Sequence, residues 1–257
     1  MRSRTKPVSR TFDDPRLEEL GAPVEVRRHP GARRLTLRVS RTRRAVIVTL
    51  PSSCDLVEAG SFLHRNLDWV RERLGNLPEQ VVCADGVLMP LRGEPHRLRY
   101  VGPKSGRAPV VEQHGGGMDP SSGHELLISG HPEHAPRRLR DWLFAEAKRD
   151  LEARVAAHAG NLKLSPSRIS IRDQSSRWGS CSTTGALSFS WRLILAPPTI
   201  LDYVAAHEVA HLAEMNHGPR FWRLVEKSMP RMDEARRWLR TYGMDLHRYQ
   251  IAGSAEA

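Results

Sequence analysis

The chain has 257 residues, of which 39% are hydrophobic and 27% are charged, fractions that exclude wholesale disorder. The formal net charge of +11 favours polyanionic partners such as nucleic acid or nucleotides. The three cysteines form no CxxC pair, which argues against a disulfide framework and a structural zinc knot. No apolar run approaches the ~18 residues that span a bilayer, so we expect a soluble, cytoplasmic protein that binds no membrane.

The front of the chain predicts short antiparallel strands after a flexible basic lead-in over residues 1–22. VEVRR, RRLTLRVS and AVIVTLP alternate apolar and polar residues, as half-buried strands do. HPGARR and SRTRRA between them are typical of hairpin turns. Helical spacing then predicts one helix from Leu56 to Leu74. Further strands are predicted in GVLMPLRG, HRLRYVG, PVVEQ and ELLISG, with a surface loop in QHGGGMDPSSGHE.

The back half predicts a long helix from about Arg137 to Ala159, followed by strands and turns in RISIRD, SRWGSCS and ALSFSWRLILAP. They lead to a histidine-rich helix and one or two short helices that end near Tyr242. This order indicates an α+β fold, with a β-rich N-terminal half of antiparallel strands and a helical half with a short sheet. We expect a β-rich region over 23–135, a catalytic domain over 136–246 and a tail over 247–257.

The segment PPTILDYVAAHEVAHLAEMN predicts a helix that starts at a proline pair, with Thr199 and Asp202 as a capping box. His207 and His211 lie four residues apart, hence one turn above each other on one helix face, where both imidazoles can reach one metal ion. With Glu208 they form the HExxH pattern, in which two histidines bind zinc and the glutamate is the general base. A core-facing stripe is predicted from Leu201, Ala205, Val209 and Leu212.

A catalytic zinc ion takes a third protein ligand and leaves its fourth position to water. His217 follows His211 by six residues, and NHGP is a strong helix terminator, so the chain can turn back there and direct His217 to the ion. The same spacing occurs in metzincins, HExxHxxGxxH, although Glu214 stands where their glycine would be. We take His217 as the third ligand; the alternative is a carboxylate on the following helix, Glu226 or Glu234, as in gluzincin-type enzymes.

The run SRWGSCSTTGALSFSWRLILAPPTILDYVAAHEVAHLAEMNHGPRFW resembles the YgjP-like metallopeptidase domain, a relative of the SprT and WLM zinc proteases. The matching features are WGSC, WRLxLAP, DYVxxHExxH and NHxxxFW. RRLTLRVS, LDWVRERL and LRGEPHRLRY extend the resemblance over most of the chain, from about Val24 to about Leu246. The chain departs from the family's usual pattern at Ser190, where the family has Asn, and at Gly218, where it has Ser.

The resemblance implies a zincin-like helical metallopeptidase half. It also implies a zinc-dependent peptidase with one zinc ion, for which His207, His211 and His217 are the ligands and Glu208 is the catalytic base. Neither departure changes a ligand. The expected partner is a peptide or protein substrate, whose identity the resemblance leaves open.

A hydrolase of this type needs a positive or hydrogen-bonding group to stabilise the oxyanion that forms at the attacked carbonyl. The candidates are Arg177, Arg192, Tyr203 and Arg220. Each has an alternative role, as a solvent-facing charge or, for Tyr203, as a packed ring. SRWGSCS is a candidate strand for pairing with an extended peptide.

Two other functions fit the charge. One is a metal-dependent nucleoside triphosphate pyrophosphohydrolase, whose arginines would neutralise phosphates, although the chain has no Walker-type loop. The other is a DNA-associated protease of SprT-like type, with the arginine-rich segment from Arg27 to Arg44 as its nucleic-acid surface. On alternating strands, those arginines could equally form a solvated outer face.

Overall fold

A computed structural model of the chain describes residues 20–103, 110–115, 123–174 and 176–251. The chain divides into two compact units between Glu79 and Gln80. Most of the predicted lead-in, part of the predicted tail and the middle of the predicted surface loop lie outside the described residues. The predicted domain boundary between residues 135 and 136 falls inside the second unit.

Over residues 20–79, the first unit is a three-stranded sheet with two helices. Its elements are β1 (Val24–Arg28), β2 (Thr36–Ser40), β3 (Ala45–Leu50), α1 (Leu56–Arg65) and α2 (Leu67–Gly75). The central strand, β3, is buried along almost its whole length; it pairs antiparallel with β2 and parallel with β1. The prediction of a hairpin turn in HPGARR is therefore wrong, because β1 and β2 lie at opposite edges of the sheet.

The prediction of a single helix from Leu56 to Leu74 is also wrong, since the helix is interrupted at Asn66. Before it, the N-cap residue of α1 is Asp55, whose carboxylate accepts a hydrogen bond from the backbone N–H of Glu58 at 2.7 Å. The Asn66 side-chain amide donates to the carbonyl of Phe62 at 2.8 Å, and such local bonds compete with a continuous helix. Leucines and valines of both helices and the sheet form a core within this unit.

The described residues of the second unit form three sheets. Its strands are β4 (Val81–Val82), β5 (Leu88–Leu91), β6 (Glu94–Val101), β7 (Val111–His114), β8 (His124–Ser129), β9 (Arg168–Arg172), β10 (Gly179–Cys181), β11 (Ala186–Ser190) and β12 (Tyr249–Gln250). The strand orders are β5-β6-β8-β7, β10-β11-β9 and β12-β4. The pairs β6–β8, β9–β11 and β4–β12 are parallel, so the predicted antiparallel pairing holds only for the remaining pairs.

The second unit also contains helices, which confirms the α+β fold. They are α3 (Ala135–Leu162), α4 (Pro198–Ala210), α5 (Pro219–Ser228) and α6 (Met232–Tyr242), with short 3-10 helices at Pro132–His134, Trp191–Leu195 and Gly243–Arg248. The long helix α3 buries an apolar residue every four positions from Leu139 to Val155, and it packs against α4. Among the described residues, no helix has both the length and the apolarity needed to cross a bilayer.

The histidine-rich helix α4 begins at Pro198 without a side-chain cap, so the predicted capping box of Thr199 and Asp202 is wrong. The Asp202 carboxylate instead lies 2.9 Å from Nε2 of His158 on α3. The predicted core-facing stripe is confirmed over the helix itself, where Leu201, Ala205 and Val209 are buried. Leu212 lies beyond the end of the helix and is half-buried.

Candidate metal centre

His207, His211 and His217 lie together. Nε2 of His217 is 3.1 Å from Nε2 of His211 and 3.1 Å from Nε2 of His207. No other group of three or more metal-ligating side chains occurs in the part of the chain that the structure describes. Two nitrogens bound to one tetrahedral zinc ion are about 3.3 Å apart, so these separations suit three ligands of one ion.

The turn that brings His217 to the other two begins earlier than expected. Instead of continuing to Asn216, α4 ends at Ala210, and His211 is its C-cap residue. Tight turns follow, in which the backbone N–H of Glu214 donates to the carbonyl of Ala210 at 3.0 Å. His211 therefore lies at the helix end, and six further residues are enough to return the chain to it.

Two of the three imidazoles, those of His207 and His211, are in the neutral state that a metal ion needs. Burial lowers the pKa of His207 to about 3, and neighbouring positive charges act in the same direction. Burial also lowers the pKa of His211, so both rings are neutral at pH 7. Nδ1 of His211 lies 3.0 Å from the carbonyl of Glu214, to which it donates, and this bond leaves the Nε2 lone pair free for a metal. The donor set thus fits zinc, for which neutral imidazole is a common ligand.

Two aromatic residues at the start of α5 hold the three imidazoles. Phe221 is fully buried, and its ring centre lies 4.8 Å from that of His207, 4.5 Å from that of His211 and 4.8 Å from that of His217. Trp222 stacks on His217 at 5.8 Å and donates its indole N–H to the His217 carbonyl at 3.1 Å. The contacts with Phe221 and Trp222 fix the positions of the three imidazole rings, which the spacing of the histidines in the sequence does not determine.

Glu208 is 5% exposed and lies against strand β10. A Cβ atom on Gly179 would come within 2.6 Å of both Cγ and Oε1 of Glu208, so only glycine leaves room for this carboxyl group. Burial raises the pKa of Glu208 to about 7, and the positive charge of Arg177 opposes that effect. A dication held by the histidines would act in the same direction as Arg177 and favour the carboxylate.

A comparison with protein-family models gives the family of the chain. A family model described as the YgjP-like metallopeptidase domain matches residues 33–242. The chain belongs to the YgjP-like metallopeptidase family.

No curated protein matches the chain of this YgjP-like metallopeptidase. Among solved structures, it is similar to the crystal structure of the metallopeptidase zymogen of Pyrococcus abyssi abylysin, at 23% sequence identity and a TM-score of 0.33. That match covers 35% of this chain and 94% of the other.

Of the four oxyanion candidates in this YgjP-like chain, two interact with His207 or Glu208. Arg177 is exposed and acts on Glu208, as described above. The ring of Tyr203 is almost fully buried and lies edge-on to that of His207 at 5.9 Å. Arg177 precedes strand β10, and Tyr203 precedes His207 by one helical turn.

The other two candidates have partners of their own. Arg192 is buried, makes an ion pair with Asp173 and lies over the ring of Trp191. Arg220 is largely exposed and lies 4.0 Å from Glu214. Within the described part of the chain, neither arginine contacts any of the three histidines.

The two glutamates considered as alternative third ligands lie apart from the three histidines. The Glu234 carboxylate lies 2.8 Å from the guanidinium of Arg231, and Glu226 is exposed on α5. Neither belongs to the group of ligand atoms formed by the histidines.

Arg236 on α6 lies near the site but is not among the residues predicted from the sequence. Its guanidinium lies 4.4 Å from the ring centre of Trp222. Burial is the main cause of the lowered pKa of His207, and the charge of Arg236 adds to it. The NHxxxFW motif indicates aromatic residues near the site, but no pattern in the sequence links them to an arginine on the next helix.

Proposed function

We propose that the protein is a zinc-dependent metallopeptidase in which His207, His211 and His217 hold one zinc ion and Glu208 is the general base. The observation that supports it is the convergence of three imidazole nitrogens, with two separations of 3.1 Å, beside a buried carboxyl group. A bound zinc ion lowers the pKa of a coordinated water to about 7. The HExxH residues are those that this chemistry requires.

In this mechanism, Glu208 accepts a proton from the attacking water and then donates it to the nitrogen of the leaving amine. The Gly179 backbone keeps the Glu208 side chain from turning toward β10. Phe221 excludes water from one side of the imidazoles, since it is fully buried against them. Arg177 and Tyr203 are the two candidates for stabilising the negative charge on the attacked carbonyl oxygen.

Strand β10 is the proposed binding edge for the peptide. It pairs with β11 on one side only, within the described part of its sheet. An extended peptide that adds to the other side gains main-chain hydrogen bonds irrespective of its side chains. Because Gly179 of β10 contacts Glu208, a peptide paired there has its backbone next to the general base.

Metal analysis of purified variants tests the ligand assignment. We expect the wild-type protein and the matched Glu226→Ala variant to contain one zinc ion per chain and His217→Ala to lose it. Glu208→Gln should keep the metal but lose hydrolysis of peptides. Loss of zinc in Glu226→Ala with retention in His217→Ala contradicts the assignment, and full activity in Glu208→Gln contradicts the mechanism.

We also propose that the first unit binds nucleic acid through phosphate contacts. Arg33, Arg34, Arg38 and Arg41 are exposed, and none makes a hydrogen bond or ion pair with a described residue. By contrast, Arg27 and Arg43 are paired with Glu25. Unpaired arginines along one sheet and its turns can neutralise the phosphates of a nucleic acid.

A salt titration of DNA binding tests this second proposal. Replacing Arg38 and Arg41 with glutamine should weaken binding and reduce the slope of log K against log salt by about 2, one per lost phosphate contact. The control replaces Arg99 and Arg237, two exposed arginines outside the first unit, which changes the net charge equally. Equal slopes in the two double variants contradict the proposal.

A further inference from the structure

Arg236 is held against the metal centre by a stack of side chains. Its Cζ atom lies 4.4 Å from the ring centre of Trp222. The Trp222 ring stacks on His217 with an interplanar angle of 24°, and its centre is 5.9 Å from that of His207. Because the indole N–H is bonded to the His217 carbonyl, Trp222 is a fixed platform for the guanidinium.

The charge of Arg236 is available to a ligand. Arg236 makes no ion pair with a described residue, whereas Arg231, at the start of the same helix, is paired with Glu234. Asp233, one turn before Arg236, is exposed and is not joined to it by an ion pair within the described chain. A guanidinium that lies over an aromatic face still directs its N–H groups outward in the plane, where they can bind both oxygens of a carboxylate.

We propose that Arg236, on its Trp222 platform, forms a carboxylate-binding subsite for the peptide substrate beside the metal centre. This subsite rests on the proposed peptidase function. The guanidinium lies within about 10 Å of the His217 ring centre, since it is 4.4 Å from the Trp222 ring centre, which is itself 5.8 Å from that of His217. About three residues of extended chain, at ~3.3 Å each, span that distance. The carboxylate therefore belongs to a residue close to the scissile bond, as an acidic side chain or as the C-terminus of the peptide.

The chemistry of the subsite favours carboxylates over other groups. Charge-assisted, bidentate hydrogen bonds between arginine and carboxylate are about twice as strong as neutral ones. The exposed position reduces this gain through solvent screening, so we expect a preference of about tenfold rather than several hundredfold. A lysine at the same position keeps the charge but loses the planar fork, and it should retain only part of the preference.

Binding of labelled peptides tests the subsite independently of hydrolysis. The protein is the zinc-loaded Glu208→Gln chain, in which bound peptides are not turned over. The probes are four fluorescein-labelled octapeptides, with Glu or Gln at one central position and with a free or amidated C-terminus, and anisotropy gives their Kd values. The Glu and Gln arms report an acidic side chain, and the free and amidated arms report the C-terminus.

The expected result is about tenfold tighter binding of one carboxylate form over its neutral counterpart. That preference should disappear in Arg236→Gln, decrease in Arg236→Lys and remain in Arg237→Gln, the matched loss of an exposed charge on the same helix. Equal Kd values for all four peptides, or a preference unchanged by Arg236→Gln, overturns the subsite. If the preference depends on Arg236 but the wild-type protein hydrolyses no peptide, the subsite stands and the peptidase proposal fails.

Discussion

Replacing Gly179 with alanine perturbs the proposed general base, Glu208, without changing a proposed metal ligand. The new Cβ atom would lie 2.6 Å from Cγ, 2.6 Å from Oε1 and 2.8 Å from Cδ of Glu208. To restore normal van der Waals contact at about 3.5–4 Å, the carboxyl group must move by about 1 Å. Because Glu208 is only 5% exposed, its side chain has little free space into which it can move.

A displacement of about 1 Å in a catalytic group costs about 100-fold in rate. We therefore expect kcat/KM of Gly179→Ala to fall by about 100-fold on a peptide that the zinc-loaded wild-type protein cleaves. The zinc content should stay at the wild-type value, since the three atoms nearest to the new methyl group all belong to Glu208 and none to an imidazole. Gly160→Ala is the matched control, because a Cβ atom there meets nothing within 4 Å.

The control should keep wild-type activity and gain up to about 1 kcal/mol of stability, because alanine favours the helix that carries Gly160. Wild-type kcat/KM in Gly179→Ala would refute the view that the strand backbone positions Glu208. Loss of zinc in Gly179→Ala would refute it as well, because the substitution would then act on the whole centre rather than on the base.

Other substitutions test the pH dependence and the packing. Burial lowers the pKa of His247 to about 4, so the unfolded state binds a proton at this residue before the folded state does as the pH falls below about 6.5. This difference should lower the free energy of unfolding by up to ~3 kcal/mol at pH 4. In urea unfolding measured from pH 7 to pH 4, His247→Gln should show a smaller loss of stability than the wild-type protein. Phe221→Ala should lower the free energy of unfolding by about 3–5 kcal/mol and weaken zinc binding in chelator competition, with Phe221→Leu intermediate. His158→Ala should destabilise the chain by about 2–4 kcal/mol in the same unfolding assay, because it leaves Asp202 and Ser228 without their buried partner; an unchanged stability would mean that water replaces the ring.

Much of the centre follows from local sequence. Histidines four residues apart on a helix must share a face, so the His207–His211 pair and the apolar stripe beside it could be read from helical periodicity. The return of the chain to His217 could be expected from the terminator NHGP. The helix end could not, because α4 stops at Ala210 through turns in a segment whose residues still have helical propensity.

The features that sequence could not give depend on elements far apart in the chain. The parallel pairing of β1 with β3 rather than with β2 is a choice of partner, which alternation of apolar residues does not encode. Gly179 approaches Glu208 because β10 packs on α4. Arg236 and Trp222 are in contact although they belong to two successive helices, α6 and α5. No local pattern indicates either contact.

The second unit buries its own apolar residues around the helix that supplies His207. A truncated protein that starts at Gln80 would retain every side chain assigned to catalysis here, together with the interior that supports them. Such a truncation would also remove the arginine-rich strands, so digestion of peptides and retention on a DNA column could be measured on separate polypeptides. The division of the chain thus lets the proposed peptidase activity and the proposed nucleic-acid binding be tested on separate fragments.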